Sequence, residues 1–233
     1  MANNLVFTEV TDDSVKGVTL EILGKLQGQN VEVCAIGDIP EAGKKALTEH
    51  GAQKIHQLKG DNLDKYSPEG YANALKDFIS SHSYDHVFAG ASSIGKDLMP
   101  RLAGMFDAGM ASEVTNFVIE NDKFHGTRPF FAGKCLAKVE IEGPKPHFVS
   151  VRPNALGMPE STEAGSGEVQ DDNVDPGKIR AAIQEVIEGA GGQVDLTEAN
   201  IIVSGGRAMK NSDNFKVLQE LADVIGASVG ASR

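Results

Sequence analysis

Gly90-Ala-Ser-Ser-Ile-Gly95-Lys96-Asp97 has the glycine and lysine spacing of a phosphate-binding loop, after a β-type apolar run and before a helical period. The position after the lysine is Asp97, where a serine or threonine would offer Mg²⁺ a neutral hydroxyl. A carboxylate there sets negative charge beside the phosphates. The run therefore reads as a tight strand-to-helix turn, with a nucleotide-binding module or ATPase using Gly90 to Lys96 as the alternative. His82-Ser-Tyr-Asp-His86 has the i,i+4 spacing of a helical zinc pair. The helix is expected to end near Ser81, and Val87 already belongs to a strand. The two imidazoles should diverge as surface histidines flanking a loop, and no metal site is expected. Gly165-Ser-Gly167 lies in an acidic connection that cannot position a nucleophile, so no catalytic constellation emerges.

Ser204-Gly205-Gly206-Arg207 is the remaining candidate, with a strand before it and a helix after it. Two glycines let backbone N–H groups approach an anion, a helix N-terminus favours negative charge, and Arg207 offers a fork for phosphate. Gly230-Ala-Ser232-Arg233 follows the next expected strand. Both patches should then share the carboxyl-end rim of a parallel sheet, where nucleotides bind in open α/β folds. A plain turn with a surface arginine explains the bare pattern equally well.

The elements that would position these residues alternate between strand and helix. Leu5-Val-Phe, Val31 to Ile36, Lys54 to Leu58 and His86 to Ala89 read as strands. Helices are expected from a capping signal at Thr11-Asp-Asp-Ser, from Pro40 to about His50, from Pro68 to Ile79, and through Ile94, Leu98, Leu102 and Met105. This alternation predicts an α/β fold: a mostly parallel, Rossmann-like sheet with helices on both faces. Extended runs at Val114 to Glu120, Gly126 to Phe131, Cys135 to Ile141 and His147 to Val151 predict an appended antiparallel meander. Asp175-Pro176 should open a helix through Ile179, Ala182, Ile183, Val186 and Ile187. Ile201-Ile-Val203 and a helix from Ser212 to Ile225 make a C-terminal βα stub of a second α/β domain. The expected organisation is an N-terminal domain over 1–190 and a second, incomplete one over 194–233.

Charge and composition narrow the possibilities. The 233 residues carry 33 acidic and 22 basic side chains, a net charge of −11. Such a balance argues against a nucleic-acid partner, which requires a basic surface. Residues 153–177 hold six acids (Glu160, Glu163, Glu168, Asp171, Asp172 and Asp175) and no lysine or arginine, which predicts an exposed connection. Cys34 and Cys135 lie in apolar runs and read as buried free thiols. No run approaches the roughly 20 apolar residues of a membrane span, so no direct membrane insertion is expected. The first residues resemble neither a secretory signal nor a mitochondrial presequence, which predicts a bacterial cytoplasmic protein.

Val203-Ser-Gly-Gly-Arg-Ala-Met-Lys210, Asn214-Phe-Lys216, Leu221-Ala-Asp223 and Val229-Gly-Ala-Ser-Arg233 together resemble the start of the FAD domain in electron-transfer flavoprotein alpha subunits. Phe88 to Arg101, Arg128 to Cys135 and Phe148 to Pro153 resemble that family's N-terminal domain. The resemblance implies an electron carrier whose chemistry belongs to FAD, with no catalytic side chain of its own. It implies a heterodimer with a beta subunit that carries AMP. Donor dehydrogenases, such as acyl-CoA dehydrogenases, would deliver electrons, and a quinone reductase or another acceptor would take them. Carried over, Gly205, Gly206, Arg207 and Ser232 would contact FAD, and Arg233 would lie near the isoalloxazine. A cation there favours the anionic reduced flavin and raises its potential. The family's FAD domain continues past Gly-Ala-Ser-Arg, so the resemblance also implies an FAD site only partly present and a fragment of a longer protein. A structural scaffold subunit docking a partner is the third class.

Overall fold

Alternation along the first strand sets the architecture. Leu5 and Phe7 enter one apolar cluster and Val6 enters another, as the two-residue period of a strand requires. Both faces of the sheet that grows from this strand must therefore be covered. The computed structural model describes residues 2–159, 162–181, 183, 196, 199 and 201–231. Contacts between Cα atoms divide the chain into two units, Met1–Gln184 and Glu185–Arg233.

The first unit runs β1 (Asn3–Phe7), α1 (Gly17–Lys25), β2 (Asn30–Ile36), α2 (Glu41–Glu49), β3 (Lys54–Lys59), α3 (Pro68–Ser80), β4 (His86–Gly90), α4 (Ser93–Met105), β5 (Met110–Val114), β6 (Asn116–Glu120), β7 (Lys123–Phe130), β8 (Cys135–Glu140), β9 (His147–Val151) and β10 (Glu168–Asn173). Seven of these strands form one sheet in the order β10-β3-β2-β1-β4-β9-β5. Every pairing in it is parallel. Strands β6, β7 and β8 form a separate antiparallel sheet. Leu75, Phe78 and Ile79 of α3 and Leu98, Met99 and Leu102 of α4 pack into the cluster that holds Leu5 and Phe7. Val18, Ile22 and Leu23 of α1 and Leu47 of α2 pack into the opposite cluster. Phe117 of β6 and Phe124 of β7 join that second cluster against Phe88, with the Phe88 and Phe117 ring centroids 5.0 Å apart. The small sheet thus covers part of a face that helices cover elsewhere.

The expected α/β class with an appended antiparallel sheet is what the chain adopts, and several local expectations change. Thr11-Asp-Asp-Ser does not open α1. The Thr11 Oγ1 accepts from the Ser14 N–H at 3.1 Å and Val10 bridges to Val15, so the cap chemistry closes a turn and the helix starts at Gly17. The run His147–Val151 leaves the meander and enters the main sheet between β4 and β5, because all five residues are apolar enough or paired enough to be buried on both faces. The acidic connection is not simply exposed chain, since Glu168–Asn173 becomes an edge strand on β3. Residues 174–180 form no helix, being held extended along α3 by bonds such as Asn73 Nδ2 to the Pro176 carbonyl at 3.0 Å. Ala182, Val186 and Ile187 lie outside the described residues. Cys34 is buried as expected, whereas Cys135 is exposed because β8 presents most of its residues to solvent.

One carboxylate organises the turn after β9. Glu21 on α1 is 4% exposed, and its two oxygens accept backbone N–H groups from Asn154 at 2.9 Å, Leu156 at 3.0 Å and Gly157 at 3.1 Å. Replacing it orphans three donors in one turn. Glu21→Ala is expected to lower the unfolding free energy by about 3 kcal/mol in urea titrations, with Glu21→Gln losing less.

His86, expected on the surface, is fully buried at the start of β4. Its Nδ1 meets Asn4 Oδ1 at 3.1 Å, and its ring lies 6.3 Å from that of Phe124. Burial, helped by the neighbouring His147 and Lys145, lowers its pKa to about 4. His86 is therefore neutral in the folded chain, while the unfolded chain takes up a proton near 6.5. Stability should fall as the pH drops below that value toward about 4. Urea midpoints at about pH 7 and about pH 5 should show this decline in the wild type, and His86→Asn should reduce it.

Candidate functional site

An open parallel sheet offers a ligand the crevice at the carboxyl ends of its strands, where the strand order reverses. In the first unit that point lies between β1 and β4, so Glu9 and the turn Gly90 to Gly95 border it. Ser92 caps α4, its Oγ accepting from the Gly95 N–H at 2.9 Å, and the same hydroxyl donates to the Glu9 carboxylate. Lys16 Nζ approaches the other Glu9 oxygen at 3.7 Å. A protein carboxylate thus stands at the helix N-terminus that would otherwise draw an anion.

The turn itself is closed. A Cβ at Gly95 would fall 1.9 Å from the Gly90 carbonyl oxygen, and one at Gly90 would fall 2.4 Å from Val18 Cγ1. Gly95 is required by backbone contact inside the turn, and Gly90 by the close approach of Val18 from α1. Lys96 turns away from the loop and pairs with Glu113 Oε1 at 2.6 Å, while Arg152 meets Glu113 Oε2 at 3.2 Å. Lys96 is the first cause of the lowered Glu113 pKa. Asp97 accepts from the Tyr66 hydroxyl at 2.5 Å and pairs with Arg101 at 3.6 Å. Ser92, Lys96 and Asp97 of the phosphate-loop pattern are therefore engaged within the protein. His82 and His86 also separate as expected: His82 stacks near Tyr84 with centroids 5.6 Å apart, and His86 enters the core.

The second unit consists of β11 (Ile202–Gly205), two short 3-10 turns at Arg207–Met209 and Ser212–Phe215, α5 (Lys216–Ile225) and β12 (Ser228–Ala231). The two strands pair in parallel, with Ser204 opposite Gly230 and Gly205 opposite Ala231. The chain consequently leaves both strands at one rim. Gly206 and Arg207 are exposed there, and Arg207 makes no ion pair among the described residues. Ser232 and Arg233 lie outside the described residues.

Two expectations about this rim change. Gly205-Gly206-Arg207 does not precede an α-helix N-terminus, because Lys210 takes a φ of +64° and the chain makes two 3-10 turns before α5 begins at Lys216. The two glycines also differ in purpose. A Cβ at Gly205 would stand 2.7 Å from Leu218 Cδ1, 2.8 Å from Phe215 Cε1 and 2.9 Å from Met209 Cγ. Gly205 is buried and lets α5 and the 3-10 turns sit on the strand, while Gly206 is extended and open to solvent. The residues fit a phosphate-bearing group in one respect: Gly206 and Arg207 stand exposed at a strand's carboxyl end, and the guanidinium makes no ion pair among the described residues. Among the described residues no group of three or more His, Cys, Asp or Glu could hold a metal ion, and no helix is long and apolar enough to cross a membrane.

Comparison with known proteins matches both units. Residues 4–177 match the family described as electron transfer flavoprotein domain, and residues 195–233 match the electron transfer flavoprotein FAD-binding domain. The chain is 34% identical to the electron transfer flavoprotein subunit alpha of Bacillus subtilis over 233 residues, covering 98% of this chain and 71% of that one. It is 33% identical to the subunit of that name in Thermoanaerobacterium thermosaccharolyticum, covering 98% and 72%. It is also 29% identical to the subunit LctC of an NAD(+),ferredoxin lactate dehydrogenase in Acetobacterium woodii, covering 98% and 56%.

Gly205→Ala tests the packing role of the buried glycine. Overpacking three side chains at once should cost about 1–3 kcal/mol in the second unit. Hydrogen exchange of β11 and β12 amides should accelerate accordingly, with the first unit's amides unaffected.

Proposed function

The chain belongs to the electron transfer flavoprotein family, as an alpha-subunit relative, and we propose that it holds FAD at the rim formed by β11 and β12. The parallel register that sets Gly205 opposite Ala231 is the observation that carries this reading. It sets the carboxyl ends of the two strands, Gly205 and Ala231, side by side, with Gly206 and Arg207 following the first. Gly206 and the Arg207 backbone would approach the cofactor, and the Arg207 guanidinium would pair with its phosphates. Ser232 would donate a hydrogen bond, and Arg233 would place positive charge near the isoalloxazine. FAD, when bound, supplies the electron acceptance and donation, and the side chains bind it, orient it and set its electrostatic surroundings. The first unit gives no competing nucleotide site, since Glu9 borders the switch point and Lys96 is committed to Glu113.

In this reading the protein works as the alpha partner of a beta subunit that carries AMP. It takes electrons from dehydrogenases, of which acyl-CoA dehydrogenases are one class, and passes them to a quinone reductase or another acceptor in a bacterial cytoplasm. The family resemblance supports these partners. The name of the Acetobacterium relative favours a dehydrogenase complex as one setting for such subunits.

Flavin binding separates this proposal from the phosphate-loop alternative. Purified with its beta subunit, the protein is expected to bind FAD, read as absorbance near about 450 nm. Arg207→Ala should weaken binding by about tenfold or more, the loss of a charge-assisted phosphate contact. Lys96→Ala should leave it unchanged. ATP binding that disappears in Lys96→Ala, with FAD binding indifferent to Arg207, would reverse the assignment.

A further inference from the structure

Strand β10 is poorly suited to be a strand. Glu168-Val-Gln-Asp-Asp-Asn173 is built mostly from residue types depleted in sheets, and it lies on the edge of the main sheet. Val169 is 44% exposed, and Val174 just beyond is the only buried residue among the described residues of 162–180. Apolar burial therefore contributes little to its retention. Polar contacts to β3 do more. Asp171 accepts from Gln57 Nε2 at 2.7 Å and pairs with Lys59 at 3.5 Å, and Asp172 Oδ2 meets His56 Nδ1 at 2.6 Å. Glu168 stands opposite Lys54 in the register. Three carboxylates on β10 thus face two lysines on β3, and the third cation exists only when His56 is protonated.

The geometry at His56 demands that protonation. The residue is 1% exposed, and its other nitrogen, Nε2, meets Glu32 Oε2 at 3.2 Å. A neutral imidazole has a single N–H, so only the imidazolium can donate to both carboxylates. The surrounding groups come from every adjacent element. Glu32 and Cys34 face it from β2, with Cys34 directly opposite in register. Tyr84, before β4, donates to Glu32 at 2.6 Å. His82, at the end of α3, lies 5.7 Å away between ring centroids, and Gln170 donates to Asp172 at 3.0 Å.

We propose that His56 is a protonation-dependent clasp that holds β10 on the sheet and lets it go when the imidazolium loses its proton. The chain after β10 then leads on to the second unit. Beyond β10 the chain is tied to α3 by Asn73 on the Pro176 carbonyl and by Arg180 on Glu69, the Arg180 side chain being 76% exposed; an exposed pair of that kind holds little by itself. The direction of the pH effect follows from the groups. Burial alone would lower the His56 pKa, but the hydrogen bonds with Glu32 and Asp172 outweigh it and raise the pKa above 6.5. The His56 hydrogen bond is in turn the largest cause holding Glu32 at about 2. The clasp is complete below pH 6.5 and is lost as the pH rises through the raised His56 value, with Glu32 ionised throughout.

Hydrogen exchange across 162–180, corrected for the intrinsic pH dependence of exchange, tests this directly on the whole protein. Protection of β10 is expected to fall by about tenfold or more between about pH 6 and about pH 9.5, while β1 and β4 keep theirs. The midpoint of the fall should coincide with the His56 ring titration followed by NMR. His56→Gln should give low protection at both pH values. Should that variant fail to fold, Asp172→Asn serves, because it should lower the ring titration midpoint and the release midpoint together. Wild-type β10 protection that does not change with pH would overturn the clasp. So would a His56→Gln protein that keeps the pH dependence, or an Asp172→Asn protein whose ring midpoint moves without the release midpoint.

Discussion

A parallel sheet buried on both faces is the constraint from which the rest of the first unit follows. Its central strands cannot show one face to water, so each of them needs two covers and each end of the sheet needs an answer for unpaired backbone groups. Helices α3 and α4 cover one face, with Leu63, Tyr84 and Val174 joining their cluster. On the other, α1 and α2 reach only part of the way, and Phe117 and Phe124 of the small antiparallel sheet supply the missing apolar surface against Phe88. The chain spends the segment between β5 and β9 on that cover. Inserting β9 between β4 and β5 then returns the chain to the centre of the sheet, from which it crosses to the far edge as β10.

The same topology creates two carboxyl-end rims, and local charge distinguishes them. In the first unit the rim is closed by the protein's own groups: Glu9 with Ser92 and Lys16, Glu113 with Lys96 and Arg152, Asp97 with Tyr66 and Arg101. Each cation there has a carboxylate, and the helix N-terminus of α4 has both its serine cap and a nearby acid. In the second unit Arg207 stands at the rim with no ion pair among the described residues, beside an exposed glycine. An incoming phosphate would have to displace carboxylates at the first rim, whereas at the second Arg207 meets none among the described residues. That difference is electrostatic and local, and a motif spacing cannot report it.

Much of this was legible in the sequence. Leu5-Val-Phe, Val31 to Ile36 and His86 to Ala89 announce strands because β-branched and aromatic residues concentrate there, and α4 announces itself through Ile94, Leu98, Leu102 and Met105 at helical spacing. The parallel pairing of β11 with β12 follows from simple βαβ logic. The misses share a cause, in that tertiary contacts overrode a local signal. Thr11 has cap chemistry but spends it on Ser14. His86 looks polar and becomes core, because β4 is central and its first residue has no solvent side. Helical spacing after Phe215 is real, yet the expected start at Ser212 is delayed by 3-10 turns that fit Met209 and Phe215 around Gly205. The Ser232 and Arg233 roles rest on resemblance alone.

The acidic segment shows how a compositional reading can be right about chemistry and wrong about structure. Six acids without a lysine or arginine in residues 153–177 argue correctly against a buried core element. They do not argue against an edge strand, because an edge needs backbone pairing on one side and tolerates charge on the other. What determines the outcome is the neighbour: the register sets Glu168 opposite Lys54, while His56 reaches Asp172 and Lys59 reaches Asp171 diagonally, two residues along β10. Charge complementarity thus substitutes for the apolar side chains that hold the other six strands. A strand held in this way depends on the protonation state of its partners, whereas one held by Leu5, Phe88 or Phe148 does not. The edge of the sheet is for that reason its most condition-dependent part.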